Sequence, residues 1–355
     1  MFILVIGERQ KVADCHMNTI FYPNDVEKKT ILILEILGNA EGPMGSRLIS
    51  RCLQDHGVVL SERAVRYHLK LMDERGLTKF IGKHVGRTIT ELGIEEIGSA
   101  RVQDKIGFAI SRIESLAFRT TFDPKKCQGL LPVNVSFFLK EQFKEALEAM
   151  VPAFNAGIFV SELVAFAEAG KRLGGILVPE GRVGFATICS IVINGVLLKS
   201  GVPLDSKFGG ILQVKNGKPL RFVELIYYSG SSLDPSEAFI QGKMTSVREA
   251  SETGKGKIVA NFRDFPVLCR NTVEKLTSEL KRVGIGGVLT IGKVSEPTCQ
   301  IPVDVNKVGM ILVGGLNPVA CAQEAGFGAE NYAMSAVMDY GELINFQKLR
   351  HKELS

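Results

Sequence analysis

Leu60-Ser-Glu-Arg-Ala-Val-Arg-Tyr-His-Leu-Lys-Leu-Met-Asp-Glu-Arg-Gly-Leu-Thr78 decides the fold of the first third of this chain. Ser61 stands where an N-cap belongs and Gly76 where a stop belongs, so the run predicts a helix over Glu62 to Arg75. At 100° per residue its side chains sort onto two arcs. Ala64, Val65, Leu69, Leu71 and Met72 fill one; Glu62, Arg63, Arg66, Tyr67 and Lys70 fill the other. One face is made to pack, and the other presents cations, an aromatic ring and a carboxylate.

Upstream, Pro23-Asn24-Asp25-Val26-Glu27 predicts a first helix with Asn24 as cap and Glu27 closing a capping box, running through Ile31, Leu34 and Leu37 to Gly38. A second helix after Gly42-Pro43 sets Met44, Leu48, Ile49, Cys52 and Leu53 on one face and stops at His56-Gly57. Downstream, Leu77 to Thr90 reads as two short strands around Gly82-Lys83-His84-Val85-Gly86-Arg87, a hairpin with a basic tip. Three helices and then a hairpin is the winged helix-turn-helix order, whose third helix enters the major groove. We assign it to residues 25–101. Ser61, Arg63, Arg66, Tyr67 and Lys70 are the candidate DNA contacts of the helix, with Lys83 and Arg87 those of the wing.

Charge placement agrees. The chain carries a net +5, and Ser61 to Thr90 alone holds seven cations against three anions. Neutralising phosphates with Lys and Arg gives the sequence-independent part of DNA affinity. The alternatives are a merely solvated helix face, or a winged helix used as a protein-interaction module. His56, His68 and His84 make no compact metal set and read as structural.

Composition sets the remaining limits. With 355 residues, 45% hydrophobic and 23% charged, the chain is globular and long enough for two domains. The run Thr30 to Gly38 is too short to span a bilayer, and Met1 to Gly7 lacks the basic region and cleavage site of a signal peptide. Met17 is an alternative start. Seven scattered cysteines form no C-x-x-C pair, so neither a metal site nor a disulfide framework is expected, and a cytoplasmic protein is.

Residues 105–349 read as a larger α+β domain. Val160–Ala169 and Asn271–Arg282 have helical spacing, whereas Phe185–Ile193, Ile211–Val214, Arg221–Tyr228, Gly287–Ile291 and Met310–Val313 are strand-like. Two segments echo each other: Lys171 to Leu177 matches Lys281 to Leu289, and Val202 to Gly209 matches Ile301 to Gly309. The echoes predict two related halves meeting at a crevice, with Lys207 and Lys307 on opposite sides to hold a dianion; the alternative is two exposed turn lysines. No G-x-S-x-G, H-E-x-x-H, P-loop or complete G-x-G-x-x-G occurs, so nothing asks for an enzyme.

The stretch from Leu60 to Thr78, followed by Gly-Arg-Thr-Ile-Thr90, resembles the winged helix of the archaeal nitrogen regulatory protein R (NrpR) family and a domain of some ribonuclease R proteins. The NrpR resemblance extends from about Asn24 over nearly the whole chain. It is carried by Phe185-Ala-Thr-Ile-Cys-Ser-Ile-Val-Ile-Asn-Gly-Val-Leu-Leu198, Lys207-Phe-Gly-Gly-Ile-Leu212, Glu224-Leu-Ile-Tyr-Tyr-Ser-Gly-Ser-Ser-Leu-Asp-Pro235 and Gly314-Gly-Leu-Asn-Pro-Val-Ala320.

The resemblance implies a repressor of nitrogen-fixation and nitrogen-assimilation genes that binds an inverted-repeat operator and is released by 2-oxoglutarate. It implies a homodimer or higher even oligomer, and, because only one regulatory domain follows the winged helix, a partner of the same type lacking the winged helix. Within the resembling runs the candidate effector residues are Thr187, Ser190, Asn194, Lys207, Gly209, Gly210, Ser229, Ser231, Ser232, Gly314, Gly315 and Asn317, with Lys307 from the second echo. A regulator with a different metabolite, or an enzyme tethered to nucleic acid, are the competing readings.

Overall fold

The structure, a computed structural model, describes residues 23–40, 42–55, 58–83, 85–99 and 107–354. The chain divides into two compact units, Met1–Asp104 and Lys105–Ser355.

In the first unit, α1 (Pro23–Gly38), α2 (Ser46–Asp55) and α3 (Glu62–Glu74) precede a hairpin of β1 (Thr78–Gly82) and β2 (Gly86–Ile89), and α4 (Glu91–Ser99) follows. Thr78 pairs with Ile89 in the antiparallel hairpin, and Met44 bridges Arg87, so the segment before α2 adds a third strand-like edge. Ile33, Leu34, Ile49, Leu53, Val65 and Leu69 are all completely buried. Each contributes about 1.5–3 kcal/mol by leaving water, which is what locks α3 onto its two neighbours. Leu48, read as part of the packed face of α2, is instead half exposed, and His68 is buried on α3. Side chains of the capping box at Asn24 and Glu27 lie outside the described residues, as do His56 and His84.

The second unit opens with α5 (Phe108–Arg119). Then one pattern runs twice. The first pass is β3 (Leu130–Leu139), a single 3-10 turn, α6 (Phe143–Asn155), β4 (Leu163–Glu168), a small hairpin of β5 (Arg172–Leu173) and β6 (Ile176–Leu177), β7 (Arg182–Ile188), α7 (Ile191–Lys199) and β8 (Asp205–Lys215). A linking segment follows: β9 (Lys218–Tyr227), α8 (Pro235–Gln241) and α9 (Val247–Thr253). The second pass is β10 (Gly256–Pro266), a 3-10 turn, α10 (Arg270–Arg282), β11 (Val288–Val294), β12 (Lys307–Val313), α11 (Asn317–Glu324) and β13 (Ala329–Asp339). β14 (Ile344–Asn345) and α12 (Phe346–Leu354) end the unit.

The two passes exchange their ends. One sheet has the order β13-β3-β7-β4-β14 and the other β11-β12-β10-β8-β9, all pairs antiparallel. The last strand of each pass therefore lies beside the first strand of the other, and α6 packs against α11 while α10 packs against α7. Each sheet with its helix pair is a ferredoxin-like β-α-β-β-α-β module assembled from both passes. The chain crosses between modules twice, at Cys189–Ser190 and at Gly314–Gly315.

Pairing fixes the equivalences. Asn134 of β3 pairs with Thr187 and Ser136 with Phe185; Asn261 of β10 pairs with Leu312 and Arg263 with Met310. Asn134 matches Asn261, and Ser136 matches Arg263. The duplication expected from the sequence is present, but its echoes were placed on the wrong elements. Lys171 to Leu177 forms the β5–β6 hairpin, whereas Lys281 to Leu289 ends α10 and begins β11; Val202 to Gly209 enters β8, but Ile301 to Gly309 enters β12.

Two elements differ from their sequence reading. Residues 160–169 form β4 rather than a helix, and Phe185–Ile193 is the end of β7 followed by the start of α7. Val160, Leu163, Val164 and Ala167 fall at helical spacing, yet Leu163–Glu168 pairs with β7 as a strand, whereas in α7 seven of the nine residues are buried and leave no period to read. A helix that is apolar all round shows no amphipathic stripe.

Candidate functional site

The first candidate site is the outer face of α3. Ser61 Oγ accepts the Ala64 N–H at 3.2 Å, capping the helix. Arg63, Arg66, Tyr67 and Lys70 are all exposed on one side. Glu62 accepts from Arg47 at 2.8 Å and Arg66 at 3.5 Å, and Lys70 lies 3.8 Å from Glu74. Exposed pairs of this kind are weak, so phosphate can displace them. Lys83 is exposed at the wing.

Arg87 is placed differently from the sequence reading. Its Nε donates to Asp73 Oδ2 at 2.7 Å, its guanidinium stacks 5.0 Å over the Phe80 ring, and Asp73 also accepts from Thr78 Oγ1 at 2.6 Å. Arg87 ties the wing to α3, while Lys83 at the tip and Lys79 on β1 face solvent.

The lysine pair expected to clamp a dianion does come together, on one sheet rather than across a crevice. Lys207 on β8 and Lys307 on β12 flank Asp264 of β10, with Nζ–carboxylate distances of 3.4 Å and 2.8 Å. Asp205 adds contacts at 2.6 Å to Lys207 and 3.6 Å to Lys307. The Asp205 hydrogen bond raises the Lys207 pKa, the buried Asp264 adding to it. Both lysines are already neutralised.

The other expected effector residues scatter. Asn194 donates to Ser206 Oγ, Thr187 accepts from Asn134, and Ser231 Oγ donates to the Leu233 carbonyl. Ser229 is exposed and Ser232 half-buried. Asn317, fully buried, staples α11 to β10 by accepting the Val259 N–H and donating to the Val259 and Gly314 carbonyls. Gly209 and Gly210 pack beneath α8 and β9.

Ser190, Gly314 and Gly315 belong to a different place. They are the chain crossovers, and they line a small, partly open cavity between the two modules. Asn134 reaches it from β3, Asn261 and Arg263 from β10, and Tyr228, Asp234 and Ser236 from the linking segment. The cavity measures about 20 Å³, room for a single water. A side chain at Gly315 would lie 2.4 Å from the Ile188 carbonyl oxygen and 2.5 Å from Asn134 Nδ2, so only glycine lets that crossover seat on β3.

Arg263 is the unusual group. It is 1% exposed, yet its partners are neutral: its two terminal nitrogens donate to the Ser190 carbonyl, Ser190 Oγ and Asn261 Oδ1, each at 3.2 Å. Its Nε has no partner among the described residues. Burial pulls its pKa down to about 10, the direction expected of a desolvated cation. Asp264, next in sequence, points to the opposite face of the sheet and neutralises the lysines instead. Ser190 Oγ also donates to Asn261 Oδ1 at 2.9 Å, so Ser190, Asn261 and Arg263 form one clasp between a crossover and the second sheet. Burial raises the pKa of Cys189, Tyr228 and Asp234, which line the cavity, and pushes the carboxyl of Glu237, next in sequence to the lining Ser236, up to about 7.

Sequence reasoning missed Asn134, Asn261, Arg263, Tyr228 and Asp234. The available signal was Ile258-Val-Ala-Asn-Phe-Arg-Asp-Phe265, where three polar residues interrupt a run apolar enough to be a central strand. Buried polar groups in such a run are either paired or functional.

Together these features define a class: a winged helix joined to a larger regulatory unit of two intertwined ferredoxin-like modules. The family model for NrpR regulatory domains NRD1 and 2 matches residues 106–345, and the ribonuclease R winged-helix model matches residues 31–97. The chain belongs to the NrpR family.

A global nitrogen regulator NrpRI of Methanosarcina mazei is 40% identical over 89% of this chain and 97% of that protein. A global nitrogen regulator NrpR of Methanococcus maripaludis and another of Methanocaldococcus jannaschii are each 32% identical, over 88% and 91% of this chain, but the chain spans only 54% and 56% of those longer proteins. The crystal structure of a nitrogen repressor-like protein from Methanococcus jannaschii is similar with a TM-score of 0.57 and 27% identity, covering 67% of this chain and 98% of that one. Among the described residues no helix is long and apolar enough to cross a membrane, and no cluster of three metal-ligating side chains occurs.

Proposed function

We propose that this chain is a transcriptional repressor of nitrogen-fixation and nitrogen-assimilation genes whose operator binding is relieved by 2-oxoglutarate. The observation that carries the DNA-binding part is the exposed face of α3, where Arg63, Arg66, Tyr67 and Lys70 stand clear of the packed core. Arg can fork onto guanine, and Lys83 on the wing can reach phosphate. The nitrogen-regulator names of its relatives support the choice of target genes.

A single winged helix covers only a small stretch of duplex. Two copies on a two-fold axis read an inverted repeat, so the repressor is a homodimer or higher even oligomer assembled through the regulatory unit. The chain spans about half of its longer relatives, and we propose a partner of the same family without a winged helix that supplies further regulatory domains.

Gel shift on an inverted-repeat operator, with and without 2-oxoglutarate and with and without such a partner, tests this reading. Arg66→Ala is expected to cost about 1–3 kcal/mol and relax sequence preference. Lys83→Ala is expected to weaken all DNA alike and flatten the salt slope by about one. If both variants bind as the parent does, α3 and the wing are not the DNA site. If free 2-oxoglutarate leaves the operator complex intact under every condition, the effector is another metabolite.

A further inference from the structure

We propose that the regulatory unit carries a second DNA-contacting surface, a cluster of five cations at one end of the second sheet that holds the phosphate backbone of the bound duplex. The proposal rests on the reading of the chain as a DNA-binding repressor and adds a contact outside the winged helix.

Strand register builds the cluster. Lys215 and Lys218 close the β8–β9 hairpin and pair directly across it. Two residues further in along β8, Gln213 pairs with Arg221 of β9 on one side and with Lys257 of β10 on the other. Direct cross-strand partners share a face of the sheet, and so do residues two apart along a strand. Lys215, Lys218, Arg221 and Lys257 therefore stand on the same side. Lys255 joins them at the end: the Gly254 carbonyl accepts the Gly217 N–H at 3.0 Å, which holds the entry to β10 against the hairpin turn. The turn is a two-residue connection with Asn216 and Gly217 both at positive φ, the geometry of a tight hairpin.

All five cations are exposed, and among the described residues none of them makes an ion pair. Arg221 donates instead to the neutral Gln213 at 3.0 Å, and Glu252, three residues before Lys255, is taken by Arg248 at 2.9 Å. Glu224 of β9, opposite Ile211, bounds the cluster on its inner side.

Folding does not ask for this arrangement. Like charges directly opposite each other destabilise a sheet, and Lys215 faces Lys218. In the other module, where Asn134 matches Asn261, the places of Lys255 and Lys257 hold Gln128 and Leu130, and the place of Gln213 holds Asp339. The same backbone is thus made without the cations.

Composition selects the partner. Four of the five cations are lysines, and the rungs that carry them hold no aromatic side chain. Protein interfaces are depleted of Lys and centred on aromatic and apolar anchors. A phosphate backbone asks for point charges and fixes no base, and gathering cations on it releases counterions.

Salt titration of duplex binding by the full-length chain tests the surface, on an inverted-repeat operator and on unrelated DNA. Lys215→Gln, Lys218→Gln, Lys255→Gln and Lys257→Gln combined are expected to weaken both complexes at least about ten-fold at physiological salt. The salt slope is expected to fall by about two to three, since each phosphate contact contributes about 0.9. Lys125→Gln, Lys126→Gln, Lys140→Gln and Lys144→Gln combined remove the same charge from exposed positions of the other module and are expected to leave the slope as it is; thermal melting establishes that both variants are folded. An unchanged slope in the first variant overturns the surface, and so does an equal fall in the two. Unchanged DNA binding with lost binding of poly-glutamate assigns the cluster to an acidic protein segment and overturns it as well. Loss of sequence preference in Arg66→Ala beside an unchanged slope in the lysine variant retains the winged helix and overturns the surface; the reverse pattern retains the surface and overturns the winged helix.

Discussion

Asn134 and Asn261 hold the same place in the two modules of the regulatory unit, but two residues further along their strands the modules part company. Ser136 stands in one where Arg263 stands in the other, and Phe137 where Asp264 stands. At the crossovers, Gly315 is matched to Ser190. The backbone pattern has been kept in both copies, with the same strand pairing to the residue. The chemistry has been kept in one. A duplicated fold needs its strands, helices and close crossovers twice in order to bury two sheets, whereas the buried cation is present in one copy alone among the described residues. The second module bears the electrostatic burden: a buried arginine on one face of β10 and a shared carboxylate between two lysines on the other.

That contrast can be broken experimentally. The largest effect is expected at the tight crossover. Gly315→Val drives a side chain into the Ile188 carbonyl and Asn134, and overpacking of this kind should cost about 3 kcal/mol, while Ser190→Gly at the matched position should cost less than about 1 kcal/mol. Urea unfolding followed by circular dichroism reads both. Equal losses would mean that the two crossovers are not distinguished by packing.

A smaller loss is expected from Asp264→Asn, which strands Lys207 and Lys307 around a carboxamide. Removing one member of a fully buried pair costs about 3–5 kcal/mol; with both lysine side chains about 30% exposed, solvent screening reduces the expectation to about 2 kcal/mol. Phe137→Leu, at the matched place in the other module, should cost about 1 kcal/mol and show no dependence on salt. A salt-independent Asp264→Asn loss would contradict the ion-pair account.

The smallest effect has the opposite sign. Arg263→Met replaces a desolvated cation with an apolar chain of similar length and should raise stability by about 1 kcal/mol, as replacement of buried charge often does. The gain would sharpen the comparison, since it means that the guanidinium is retained for something other than folding. A loss of 1 kcal/mol or more would show that the clasp holds the modules together, and the contrast with Ser136 would become structural.

Part of this molecule was legible without coordinates. The two arcs of α3, its Ser61 cap and the Gly76 stop are local properties of a 3.6-residue period, so the first unit could be read almost element by element. Ile191 to Leu197 could not, because a segment covered on all sides carries no period to read, and Val160 to Ala169 carries a helical spacing that pairing with β7 overrides. Lys207 and Lys307 drew attention as cations beside glycines, and the folded chain spends both on Asp264 and Asp205.

Sequence by itself determined the winged helix, the family resemblance, the α+β class and the presence of a duplication. Only the tertiary structure decided that each pass donates its last helix and strand to the other. That exchange brings residues from β3, β10 and both crossovers to one cavity, though they lie up to 181 positions apart between Asn134 and Gly315. Alternation along β10 then turns Arg263 toward that cavity and Asp264 away from it. Which of two adjacent charges finds a partner depends on what covers each face of a sheet, and no local pattern records that.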